Sequence, residues 1–120
     1  MRIKISEAEL EIMQILWSDS PLTSREIIER LSSKEWSEKT IRTFIHRLTE
    51  KEAIKKITTE KSFLFVPVID KKTYYSTKKK SFIEKFYQGS IKNMIVNFIE
   101  EEELSKEEIQ ELKDLLDKKS

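Results

Sequence analysis

Apolar positions along the chain follow a helical period at both ends and a strand period in the middle. Ser6 and Glu9 have the spacing of a capping box, in which a hydroxyl and a carboxylate satisfy opposite backbone amides. Leu10, Ile12, Met13, Ile15, Leu16 and Trp17 follow as a wide apolar stripe, which predicts a mostly buried first helix with Trp17 in the core. Pro21 interrupts the chain, and Thr23 with Glu26 repeats the capping box ahead of a short helix carrying Ile27, Ile28 and Leu31. A loop through Ser32, Ser33 and Trp36 then leads to Ser37, with Trp36 at the position of a hydrophobic staple.

The third helix divides into two faces. Ile41, Phe44, Ile45 and Leu48 fall at i, i+3, i+4 and i+7 and face a core, whereas Lys39, Arg42, Thr43, His46 and Arg47 fall on the opposite side. Ile54 to Thr58 has β character, Thr59 to Ser62 is a polar turn, and Phe63 to Val66 forms a second strand before Pro67. Three helices followed by a hairpin is the order of a winged helix-turn-helix.

Beyond Pro67 the period is helical again. Asp70 is placed to cap a helix containing Tyr74, Tyr75, Phe82, Ile83 and Phe86, and Ser81 with Glu84 offers a fresh capping box inside it. Gly89 marks a break, Ile91, Met94, Ile95 and Phe98 form another stripe, and Ser105 with Glu108 starts a last helix bearing Ile109, Leu112, Leu115 and Leu116. Helices this short cannot bury so much apolar surface among themselves, and a second copy of the chain is the economical cover. The expected fold class is mostly α with a small β-hairpin wing. Residues 1–70 are expected to form a winged-helix DNA-binding domain, and residues 71–120 a helical dimerisation domain whose contacts are expected from Tyr75, Phe82, Phe86, Ile91, Met94, Ile95, Phe98, Ile109, Leu112 and Leu116.

Composition narrows the chemistry. The 120 residues contain no cysteine, one histidine (His46) and one glycine (Gly89). Thiol nucleophiles and the usual cysteine and histidine metal clusters are therefore excluded, as are the glycine-rich loops that hold nucleotides. The adjacent acids Glu100 to Glu103 point in different directions on a helix and make a poor acid/base pair. No enzyme activity, cofactor or metal is expected. With no apolar run of membrane-spanning length and no signal-peptide pattern, the expected location is the cytoplasm.

The net charge of +1 is uninformative, but its distribution is not: every formal charge from Lys39 to Arg47 is positive, and acids dominate from Glu100 to Asp117. A helix with one face on the core and a basic, hydroxyl-bearing face on solvent suits the major groove. Ser37, Lys39, Thr40, Arg42, Thr43, His46 and Arg47 are the candidate contacts there, with Lys55, Lys56 and Lys61 of the wing reaching phosphates. The same charges also fit an ordinary solvated helix face. A winged helix can likewise scaffold a protein partner, and salt-dependent binding to DNA separates the two. Tyr74 and Tyr75 are open to stacking on nucleic acid or to interface packing.

The first helix with Glu9 and Trp17, the run from Trp36 to Leu48, the segment Val96-Asn97-Phe98-Ile99 and the Leu104-Ser105 start of the last helix resemble the BlaI/MecI family of antibiotic-resistance repressors. The resemblance covers nearly the full chain. It implies an N-terminal winged helix on a double-stranded palindromic operator and C-terminal helices in an interlocked homodimer. It further implies repression of β-lactamase or other antibiotic-resistance genes, or of a different regulon in the same family. Induction in that family starts at a membrane sensor with a protease domain and cuts the bond matching Asn97-Phe98. A branch of the family senses copper through C-terminal cysteine pairs, which this chain lacks. Proline is common in the family where Glu38 stands and threonine where His46 stands. Glu38 suits the helix dipole, yet would repel phosphate beside DNA.

Overall fold

The computed structural model describes residues 4–119. The chain runs α1 (Glu7–Ser18), α2 (Ser24–Arg30), α3 (Glu38–Glu50), β1 (Ile54–Thr58), β2 (Phe63–Pro67), α4 (Lys71–Tyr87), α5 (Ile91–Glu101) and α6 (Lys106–Lys119). It divides into two compact units, one ending at Tyr75 and the other beginning at Ser76.

In the first unit the helix starts follow the sequence signals. Ser6 and Glu9 form a reciprocal capping box on α1, and Thr23 and Glu26 do the same on α2. Ser37 caps α3 by accepting from the Thr40 N–H at 3.1 Å. Each cap satisfies amides that would otherwise lack partners, at a typical gain of about 1 kcal/mol. One core gathers Ile12, Met13 and Leu16 of α1, Ile27 of α2, and Ile41, Ile45 and Leu48 of α3, all nearly solvent-free. Burying a side chain of this size contributes roughly 1.5–3 kcal/mol, so α3 is fixed by the face it turns inward.

The route from α3 into the hairpin is a Schellman turn: Ala53 N–H donates to Leu48 O and Glu52 N–H to Thr49 O, both at 3.0 Å. This places Glu52 at φ 63°, a conformation that usually calls for glycine. The strands β1 and β2 pair antiparallel from Ile54↔Pro67 to Thr58↔Phe63. Leu22, just before α2, adds a third edge by exchanging two backbone hydrogen bonds with Phe65. The hairpin is thereby anchored to the helix-turn-helix.

Glu9 is buried beneath this unit at 2 % exposure. Lys51 Nζ lies 2.6 Å from its carboxylate and also donates to Lys4 O at 2.8 Å. Trp17 packs half-buried on the core, donates its indole N–H to Ile69 O at 2.8 Å, and meets the rings of Tyr74 and Tyr75. Tyr74 is buried in the same core. The first unit therefore reaches five residues past Asp70, into the start of α4. Tyr75 lies in that unit with its ring edge-on to Trp17, and it stays 42 % exposed.

The second unit is α4 from Ser76 onward, α5 and α6. Asp70 accepts from the Thr73 N–H at the start of α4. The helix then runs unbroken through Ser81 and Glu84, so these residues start no new helix as their spacing allowed. No proline or glycine interrupts that stretch. The chain turns at Gln88 and Gly89, whose φ values are 52° and 83°. Ser90 caps α5, and Ser105 and Glu108 form a reciprocal box on α6.

Candidate nucleic-acid interface

The exposed side of α3 is produced by the same periodicity that buries Ile41, Ile45 and Leu48. Ser37, Lys39, Arg42, Thr43, His46 and Arg47 are exposed and Thr40 is half-buried. Trp36 stacks edge-on with Phe44 at 5.4 Å, closing the flank of the helix.

The hydroxyls on this side have tasks in the protein. Ser37 donates to Thr40 Oγ1 at 3.0 Å while capping the helix, and Thr43 donates to Lys39 O at 3.0 Å. Ser37 and Thr43 are thereby left as acceptors toward a base, whereas Thr40, which accepts from Ser37, keeps its hydroxyl proton to donate; each threonine also carries a methyl group. Arg42 donates to Ser24 Oγ of α2 at 3.1 Å, which directs the guanidinium along the gap between the two helices. Lys39 and Arg47 have no ion-pair partner among the described residues. His46 pairs with Glu50 one turn on, both well exposed.

The hairpin supplies further cations. Lys55, Lys56 and Lys61 are all exposed. Lys56 Nζ lies 3.9 Å from the centroid of the Phe63 ring, which restrains an otherwise mobile ammonium. The tip is closed by Thr59 and Ser62, with Ser62 N–H donating to Thr59 Oγ1 and Thr59 N–H to Ser62 O. The first unit thus collects the reading-helix and wing candidates, all within Ser37 to Lys61.

Two participants escape a linear reading. Ser24 holds Arg42, and Arg25 holds Glu38 through an Nη1 to Oε1 contact of 3.2 Å. Both sit just after the Thr23 cap, where the sequence shows only a helix start. Nothing in the spacing between residues 24–25 and 38–42 reveals that the two helix starts meet.

In the second unit Asn97 lies within α5, half-buried. Tyr87 donates to Asn97 Oδ1 at 2.8 Å, and its ring stands perpendicular to that of Phe98 at 6.2 Å. Phe82, Phe86, Ile91, Ile95, Phe98, Ile109, Leu112 and Leu116 are all between 39 and 64 % exposed in the single chain. Met94 is half-buried. Among the described residues no group of three or more acids and histidines is arranged to hold a metal, and no helix is long and apolar enough to cross a membrane.

A family model described as Penicillinase repressor matches residues 5–118. A penicillinase repressor of Bacillus licheniformis is 40% identical over 115 residues, covering 95% of this chain and 90% of that one. The methicillin resistance regulatory protein MecI of Staphylococcus aureus strain N315 is 38% identical over 117 residues, covering 97% and 95%. Among solved structures, the monomeric form of Bacillus licheniformis BlaI in complex with the blaP half-operator superposes with a TM-score of 0.54 at 39% identity, covering 61% of this chain and 92% of that chain. The DNA-binding domain of the repressor BlaI gives 0.53 at 38% identity, covering 57% and 85%.

Proposed function

The chain belongs to the penicillinase repressor family, and on that premise we propose that it is a sequence-specific DNA-binding repressor of β-lactamase or other antibiotic-resistance genes. The observation that carries this reading is the exposed side of α3, where Lys39, Arg42 and Arg47 stand beside Thr40 and Thr43 on a helix locked by its opposite face. A helix so placed presents donors to guanine O6 and N7, and methyl groups to thymine, in the major groove. Lys55, Lys56 and Lys61 of the wing contact phosphates and set register without reading sequence. The similar BlaI chain, solved on its half-operator, supports this mode of binding. Such a repressor carries out no catalysis and acts in the cytoplasm.

The second unit governs assembly on the operator and release from it. Its exposed apolar side chains are covered by a second copy of the chain, giving a homodimer that matches a palindromic operator. Repression ends when a sensor-linked protease cuts Asn97-Phe98. The cut separates α6 from the winged helix, so each half keeps its DNA contacts but loses the gain of binding two half-sites together.

Titration of the full chain with a labelled duplex from upstream of its own gene, repeated over a range of salt, tests the DNA-binding core of this reading. Affinity falls steeply as salt rises, and a duplex of scrambled sequence competes poorly. Equal competition by the scrambled duplex, or no salt dependence, contradicts it.

A further inference from the structure

Glu38 is the one acid on a helix start that otherwise offers cations and hydroxyls. As the first residue of α3, with a side chain 58 % exposed, it stands where a reading helix meets base edges. A carboxylate there faces phosphate repulsion unless something offsets its charge and something donates to it. The structure provides the offset. Arg25 Nη1 contacts Glu38 Oε1 at 3.2 Å, while Oε2 has no hydrogen bond among the described residues. Next to this pair, Arg42 donates to Ser24. The starts of α2 and α3 are therefore joined by two cross-links of opposite sense, a cation from α2 to an acid of α3 and a cation from α3 to a hydroxyl of α2.

The donors that a major groove offers a carboxylate are the amino groups of cytosine and adenine. Adenine places its N7 acceptor beside that amino group, which sets a lone pair against the carboxylate and favours an amide side chain instead. Cytosine presents its N4 amino group with no acceptor beside it on the same base. Building on the major-groove reading of α3, we propose that Glu38 is a specificity-determining residue that accepts from a cytosine N4 amino group. Arg25 is its positioning residue, fixing the carboxylate and offsetting its charge beside the backbone. The pair is exposed and contributes little to folding, so its removal alters recognition and not the fold.

Selection of binding sites from a randomised duplex pool tests this with the wild type, Glu38→Gln, Arg25→Ala and Arg25→Lys. The wild type selects a cytosine at one position of each half-site, preferred by about 5- to 150-fold over the other bases. Glu38→Gln shifts that preference from cytosine to adenine, whose N6 donor and N7 acceptor suit an amide, with the other positions unchanged. Arg25→Ala weakens it at the same position, and Arg25→Lys restores part of it. An unchanged cytosine preference in Glu38→Gln overturns the inference. So does equal tightening of Glu38→Gln on every sequence, which marks Glu38 as a source of repulsion alone. A wild type that selects no sequence at all overturns the DNA-reading role of α3 itself, and is distinguishable from both.

Discussion

At the level of single residues, the protein uses its charges in two ways. Burial alone pushes the Glu9 carboxyl up, but the hydrogen bond and charge of Lys51 and the Ser6 N–H outweigh it and hold Glu9 below the ordinary carboxylate range. A carboxylate whose pKa is depressed on folding stabilises the native state above its unfolded pKa, near 4.5, and this contribution is lost as the pH falls through the folded value. Glu9→Gln is therefore expected to cost roughly 1–3 kcal/mol at neutral pH, measured by urea denaturation. The gap to wild type should narrow below pH 4.5, and a gap that stays constant into acid contradicts the pairing. From sequence, Glu9 is legible only as one member of a capping box; its partner Lys51 lies 42 positions away, and only folding brings them together. Lys39, Arg42 and Arg47 are different, because their exposure follows directly from the period that buries Ile41, Ile45 and Leu48.

At the level of elements, starts were more legible than joints. Ser6, Thr23, Ser37 and Ser105 all act as helix starts because a cap is a local interaction over three residues. The Schellman turn at Glu52 was not legible, since the residue in the left-handed position is glutamate and not glycine. The bridge between Leu22 and Phe65 was hidden because it joins a single residue to a strand 43 positions on. In the second unit, Tyr87 contacts both residues of the bond expected to be cut, through its hydroxyl to Asn97 and its ring to Phe98. A bond inside a helix must open before a protease can engage it. Tyr87→Phe keeps the ring and removes the hydroxyl's hydrogen bond, which is worth about 0.5–1.5 kcal/mol. Amide exchange in α5 around Asn97 should then quicken by about 2- to 10-fold. Unchanged protection there contradicts a restraining role for Tyr87.

At the level of the whole molecule, the winged-helix order was readable from the alternation of periods, whereas the end of the first unit was not. Asp70 is a clear helix cap, yet the core extends to Tyr74 because Trp17 offers it a ring to pack on. The partner of the second unit is likewise beyond a single chain. Exposed side chains such as Phe86, Phe98 and Leu116 state only that a cover is needed. Sedimentation of the full chain at micromolar concentration should give a dimer, and a monomer contradicts self-association as that cover. The role of α3 is measured most directly by the affinity of Arg42→Ala and Lys39→Ala for operator duplex beside Lys118→Ala, which changes a cation in α6. Each α3 variant should lose roughly 1–3 kcal/mol where a base contact is removed, with thermal unfolding unchanged and Lys118→Ala binding as the wild type does. Wild-type affinity in both α3 variants would contradict a DNA-reading role for this helix.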